Sequence, residues 1–199
     1  MRRRILIIGV VVLLLLSLFP AAYRTIQWSS DAYGLIILAT WPDDTFTYNP
    51  YAKDGYFVAP ETAVWILKNF YYPYKGCSEM SKNFGICDMP LIMWAGRTLG
   101  TGDSQADNRA YEIIEFLIKK GEPLNERYSG MTVVHEAILY RQPKYLKMLL
   151  DAGADPKIMI DREGKKSHGL DAFGFVELLE NMSPGGFREI KKILNNTKG

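Results

Sequence analysis

Apolar residues are arranged in two ways along this chain. Near the start an apolar run, Ile5 to Phe19, continues through Pro20-Ala21-Ala22 and lies between Met1-Arg2-Arg3-Arg4 and Tyr23-Arg24. Ile5 to Ala22 reaches the lower limit for crossing a hydrocarbon core. Farther along, the apolar positions become periodic. Ile113-Ile114-Glu115-Phe116-Leu117-Ile118, then Leu146, Leu149 and Leu150, then Ile190, Ile193 and Leu194 fall at helical spacing, and each set predicts a helix with one buried stripe. Pro60-Glu61-Thr62 opens another amphipathic helix, whose apolar positions are Val64, Trp65, Leu67 and Tyr71. Leu35-Ile36-Ile37-Leu38 is too short for anything but a buried strand or a helix turn. The expected class is mainly α.

One stretch carries more than periodicity. Gly130-Met131-Thr132-Val133-Val134-His135-Glu136-Ala137, with Tyr145-Leu146-Lys147-Met148-Leu149-Leu150-Asp151-Ala152-Gly153-Ala154-Asp155 after it, resembles an ankyrin repeat. Thr132 has the short hydroxyl side chain that caps a helix start. His135 stands at the histidine of the family's Thr-Pro-Leu-His signature, and the resemblance implies that its imidazole ties neighbouring loops together. Ala137 is small enough for close helix approach, and Gly153 supplies the left-handed residue that ends the second helix. The chain departs from the family at Val133, where a proline is usual, and at Arg141, where a glycine is usual. Pro143 suits the first turn of the second helix, so the helix-loop-helix geometry is expected to survive.

A unit of this kind cannot bury its apolar face alone and must stack on copies of itself. Weaker copies fall on either side. Upstream, Met89-Pro90-Leu91 with Trp94-Ala95 reads as a degenerate first helix and Ile113 to Gly121 as its second, with Leu99 to Arg109 between them as a polar insertion looping out on the surface. Downstream, Gly164 marks a third copy, closed by Phe187 to Leu194, and Arg188, Glu189, Lys191 and Lys192 give it the polar outer face of a terminal cap. The expected architecture is an ankyrin-repeat helical solenoid of about three repeats with an N-terminal transmembrane or signal helix and an aromatic-rich capping region. Its segments are a basic tip (1–4), a membrane helix (5–22), the aromatic cap (23–88) and repeats at about 89–127, 128–160 and 161–197.

The leader predicts export. A cut after Ala22 or Ala21 would place Pro20 or Phe19 where a small residue is wanted, so an uncleaved signal anchor is preferred over a cleaved leader. The arginines then stay cytoplasmic by the positive-inside rule, with the remainder outside. This points to a single-pass protein of a bacterial inner membrane with its C-terminal part in the periplasm, or a free periplasmic protein if the leader is removed. In that oxidising setting Cys77 and Cys87 are natural disulfide partners. Closing so short a loop contributes about 2 to 3 kcal/mol in the chain-entropy account.

Charge and composition narrow the function. A formal net charge of +2 provides no basic field for nucleic acid. The two histidines, His135 and His168, have no metal-ligand spacing, no Ser-His-Asp or Cys-His set has a credible context, and Gly96 to Gly102 lacks the lysine of a phosphate loop. No catalysis, cofactor or metal is expected. Trp41, Phe46, Tyr48, Tyr51, Tyr56, Phe57, Phe70, Tyr72 and Tyr74 crowd residues 24–88, either covering the end of the stack or forming a contact surface.

The expected activity is binding a protein partner, with the free chain monomeric. In ankyrin-like arrays partners dock on loop tips and the outer face of the first helices. The matching positions are Glu126, Arg127 and Tyr128 in one loop, Lys157, Met159, Asp161 and Arg162 in the next, and Glu136, Leu139 and Tyr140 on the helix. Leu139 and Tyr140 either face outward or pack beneath the 99–109 insertion. Two roles fit: a membrane-tethered adaptor, which could also protect an envelope enzyme such as a catalase, or an immunity protein neutralising an antibacterial toxin such as a secreted phospholipase.

Overall fold

The computed structural model describes residues 31–41, 59–70, 77–83 and 85–197. The basic tip and the 5–22 run lie outside them, as do Phe46, Tyr48, Tyr51, Tyr56, Phe57, Tyr71, Tyr72 and Tyr74. Among the described residues no helix is long and apolar enough to cross a membrane, and no strand forms beyond an isolated bridge between Tyr128 and Met131. The chain is mainly helical. It divides into two compact units between Cys87 and Asp88.

In the first unit α1 (Ala32–Thr40), α2 (Pro60–Phe70) and α3 (Glu79–Asn83) follow in order, with α1 packed on α2. The Leu35-Ile36-Ile37-Leu38 run is therefore helical, and it is apolar all round because nearly every α1 side chain is buried. Asp31 caps the helix through Gly34 N (2.8 Å) and also accepts a hydrogen bond from Ser78 N (2.7 Å). Burial alone would raise its carboxyl, but these two N–H groups hold it below the usual carboxylate range. Cys77 and Cys87 are joined by a disulfide, and Tyr33 Oη donates to Cys87 O at 2.8 Å. On α2, Ala63, Val64 and Leu67 face inward. Trp65 does not share their face. It is 55% exposed and meets Phe70, also exposed, edge to face at 5.1 Å.

The second unit contains α4 (Leu91–Arg97), α5 (Ser104–Lys119), α6 (Val133–Leu139), α7 (Pro143–Asp151), α8 (Ala172–Met182) and α9 (Arg188–Asn196). They pack as successive pairs, α4 with α5, α6 with α7 and α8 with α9. The first helices are also neighbours, α4 beside α6 and α6 beside α8, and α7 lies beside α9. Local chemistry sets the ends. Gly121 (φ +80°) and Gly153 (φ +95°) close α5 and α7, each with the paired backbone hydrogen bonds of a Schellman motif.

Arg141 closes α6 the same way with φ +54°: Arg141 N donates to Ile138 O and Gln142 N to Ala137 O. A left-handed residue with a Cβ costs about 1 to 2 kcal/mol. Here the side chain offsets that cost. Its Nη2 donates to Ser183 Oγ at 3.1 Å, and its guanidinium lies 4.8 Å from the Phe187 ring centroid, so the α6–α7 turn is fastened to the α8–α9 turn.

Two expectations about this unit are corrected. Residues 99–109 do not form one surface loop. Only Leu99 to Asp103 is irregular; Asp103 caps α5 through Gln105 N and Ala106 N, and Ala106, Arg109 and Ala110 are buried in its first turns. Gly164 does not stand at the start of the next helix: the glycine two positions before the N-cap Asp171, as Gly130 is two before Thr132, is Gly169 (φ +75°). The preceding loop, longer than the one at 128–131, closes through Ile160 N to Leu170 O and Gly169 N to Ile160 O, both 2.8 Å.

Candidate functional site

The loop tips and first-helix face are positioned by hydrogen bonds between successive pairs. Tyr128-Ser129-Gly130-Met131 makes a tight hairpin turn with φ +49° at Ser129 and +78° at Gly130, the two positive angles of a type I′ turn. Gly130 O accepts from Asp161 N (2.9 Å), Met159 O accepts from Arg127 Nε (3.1 Å), and Asn125 Oδ1 accepts from Asp155 N (2.9 Å). Arg162 Nη1 rests 3.2 Å from Met131 Sδ. The two loops expected to form the tips are thus one connected surface. On it Glu126, Arg127, Lys157, Met159, Asp161 and Arg162 are exposed, and Tyr128 is half-buried.

The helix positions divide. Leu139 (38% exposed) and Tyr140 (49% exposed) both reach solvent. Glu136 is not outward. It is 5% exposed, and its two carboxylate oxygens accept from Arg97 Nε and Nη2, both at 2.7 Å. Glu136 and Tyr140 are four residues apart on one helix, so they share a face. The Arg97 guanidinium also lies 5.7 Å from the Tyr128 ring centroid. The Glu136 carboxylate holds Arg97 above its ordinary range, and Tyr140 and Tyr128 both lie within its electrostatic reach. The geometry centres on Arg97, which no local sequence pattern marks: an arginine ion-paired with Glu136 and set beside the Tyr128 ring.

Glu136 is therefore a packing residue of this face. Glu136→Ala is expected to cost roughly 2 kcal/mol, because a charge-assisted bidentate contact is lost and Arg97 is left half-covered without its carboxylate. Urea unfolding midpoints check this, with Glu136→Gln recovering part of the loss.

His135 also differs from expectation. It makes its polar contacts within its own turn: Nδ1 accepts from Thr132 N (3.3 Å) and lies 2.9 Å from Thr132 Oγ1, a capping-box arrangement with histidine in place of the usual Glu or Gln. It ties no neighbouring loops by hydrogen bond. Because a backbone N–H can only donate, the neutral ring carries its proton on Nε2, and Nε2 has no partner among the described residues. The ring meets α8 through Phe175, edge to face at 5.8 Å.

Burial holds His135 at about 4, well below the ordinary 6.5. The unfolded ring takes up a proton first, so stability is full above about pH 6.5 and falls as pH drops toward about 4. At pH 4.5 the loss from this group is roughly 2 to 3 kcal/mol. The comparison is the urea midpoint at pH 7.5 and 4.5 for the protein and for His135→Gln, which keeps a capping side chain but does not titrate. The variant should lose less on acidification; equal losses would assign the acid sensitivity elsewhere.

His168 Nδ1 accepts from Arg162 N at 3.1 Å within the 161–170 loop. Among the described residues no three His, Cys, Asp or Glu side chains converge as a metal site. No protein-family model, curated protein or solved structure matches the chain.

Proposed function

We propose that residues 88–199 are an ankyrin-like stack of three helix pairs and that the protein is a non-catalytic binder, holding a partner protein on its loop tips and first-helix face. The observation that carries this reading is the run of backbone and side-chain ties between successive loops, above all Asp161 N to Gly130 O. Such ties hold Tyr128, Met159 and the Arg97–Glu136 face in fixed relation. A rigid surface with exposed Tyr140, Leu139 and Met159 presents aromatic and apolar contact area at low entropic cost. A disulfide and an apolar leader suit an exported, tethered role on the non-cytoplasmic side of a membrane.

The test is crosslinked capture from native envelopes by tagged full-length protein, alongside a Leu139→Ala, Tyr140→Ala variant whose helical circular dichroism is unchanged. A partner recovered by the protein and reduced about tenfold or more with the variant supports the reading. Equal recovery by both would move binding off this face. A single stoichiometric hydrolase, inhibited in assay by the protein, would select the immunity role over the adaptor role.

A further inference from the structure

A second surface lies on the second helices of two successive pairs, apart from the loop tips. Between α7 and α9 runs a groove with Pro143 and Ile193, both half-buried, among its lining. Lys144 and Lys147 line it from α7, and Arg188 and Lys192 from α9, all exposed. Glu189 is the one acidic side chain in its lining. Four cations against one carboxylate concentrate more positive charge here than the whole chain carries, since its formal net charge is only +2.

These cations are not neutralised alike. Lys147 pairs with Asp151 at 2.6 Å, and Lys144 sits 3.7 Å from the Tyr111 ring centroid, which positions it without cancelling its charge. Neither Arg188 nor Lys192 has an acidic partner among the described residues, whereas the adjacent Lys191 is engaged by Glu177 and Glu180. An exposed helix face needs charges for solubility, but mixed signs serve that end as well. The excess of positive charge around the half-buried apolar Pro143 and Ile193 is the unexplained feature.

We infer that this groove binds an acidic segment of a protein chain, with an apolar side chain against Ile193 and Pro143 and carboxylates against Arg188, Lys192 and Lys144. A recessed apolar floor favours a narrow chain over a flat bilayer, which would meet the rim alone, and over a free phosphate, which would leave the floor unused. The inference stands independently of the loop-tip surface.

The experiment uses the full chain in a non-ionic detergent and fluorescence anisotropy of a short labelled peptide alternating glutamate and leucine. The peptide should bind, more weakly as salt rises, and lose about tenfold in affinity with the Arg188→Glu, Lys192→Glu double variant. Its glutamine–leucine counterpart should not bind, and Lys165→Glu, Lys166→Glu, a charge reversal in the 161–170 loop, should change little. Equal binding by the groove variant or by the neutral peptide overturns the proposal. So does displacement by phosphatidylglycerol added to the micelles, which would assign the groove to lipid, or by inorganic phosphate alone. Helical circular dichroism of each variant separates lost binding from lost fold.

Discussion

Gly130→Ala should destabilise the 88–199 unit by roughly 3 kcal/mol or more, the upper range for a single substitution. Two effects add. Alanine at φ +78° bears the left-handed penalty, about 1 to 2 kcal/mol. A Cβ at this position would also lie 1.9 Å from Asp161 O and 2.7 Å from Asp161 C, which are backbone atoms that cannot swing aside. Relieving that overlap requires separating the two loops and stretching the Asp161 N to Gly130 O hydrogen bond. Gly153 supplies the control, since its φ is +95° but a Cβ there meets open space. Gly153→Ala should therefore show the conformational penalty alone. If urea unfolding places the two variants at the same midpoint, the loop-to-loop packing contributes nothing and the account of Gly130 fails.

The second large effect is expected at Tyr145. Its side chain is fully buried, Oη donates to Ile92 O at 2.7 Å, and the ring packs so closely over Gly96 that a Cβ there would lie 2.3 Å from Tyr145 Cε1. Gln142 Nε2 donates to Gly96 O beside it, so one face of α4 is held by two side chains of the next pair. Tyr145→Ala should cost about 3 to 5 kcal/mol, as expected when a buried aromatic leaves a cavity between rigid helices. Tyr145→Phe keeps the ring and should cost about 1 kcal/mol, the net value of one hydrogen bond. Calorimetric or urea unfolding of the pair reads both numbers. A loss with Phe as large as with Ala would make the hydroxyl, not the packing, the main contribution.

The sequence made some of this legible and hid the rest for identifiable reasons. α7 was readable because Leu146 and Leu149 repeat at helical spacing and Gly153 stops the helix, all within one local window. The first turns of α5 were hidden because Asp103-Ser104-Gln105 reads as a polar loop, whereas Asp103 is a cap and the inward positions there are the small Ala106 and Ala110 and the stem of Arg109. Gly164 lies about one repeat length after Gly130, but the helix begins after Gly169, because the 161–170 loop is longer than the one at 128–131. The resemblance places Glu136 on the outward docking face of the first helix, and nothing in the local pattern contradicts it. Its partner, Arg97, lies 39 residues earlier, beyond the reach of any local pattern. The basic groove was missed for the opposite reason. Arg188 and Lys192 were read as cap charges on one helix, and only the packing of α9 beside α7 aligns them with Lys144 and Lys147.

The hydrogen bonds between loops also bear on how the unit assembles. Its main helix packing joins elements close in sequence, and even the ties from loop to loop span only about one helix pair. Little chain must be closed before each new pair finds its neighbour, so folding should be fast for a chain of this length and able to start at the central α6–α7 pair and spread outward. Amide hydrogen exchange should accordingly be slowest in α6 and α7 and should quicken toward α9, in which only Ile190 and Leu194 are buried.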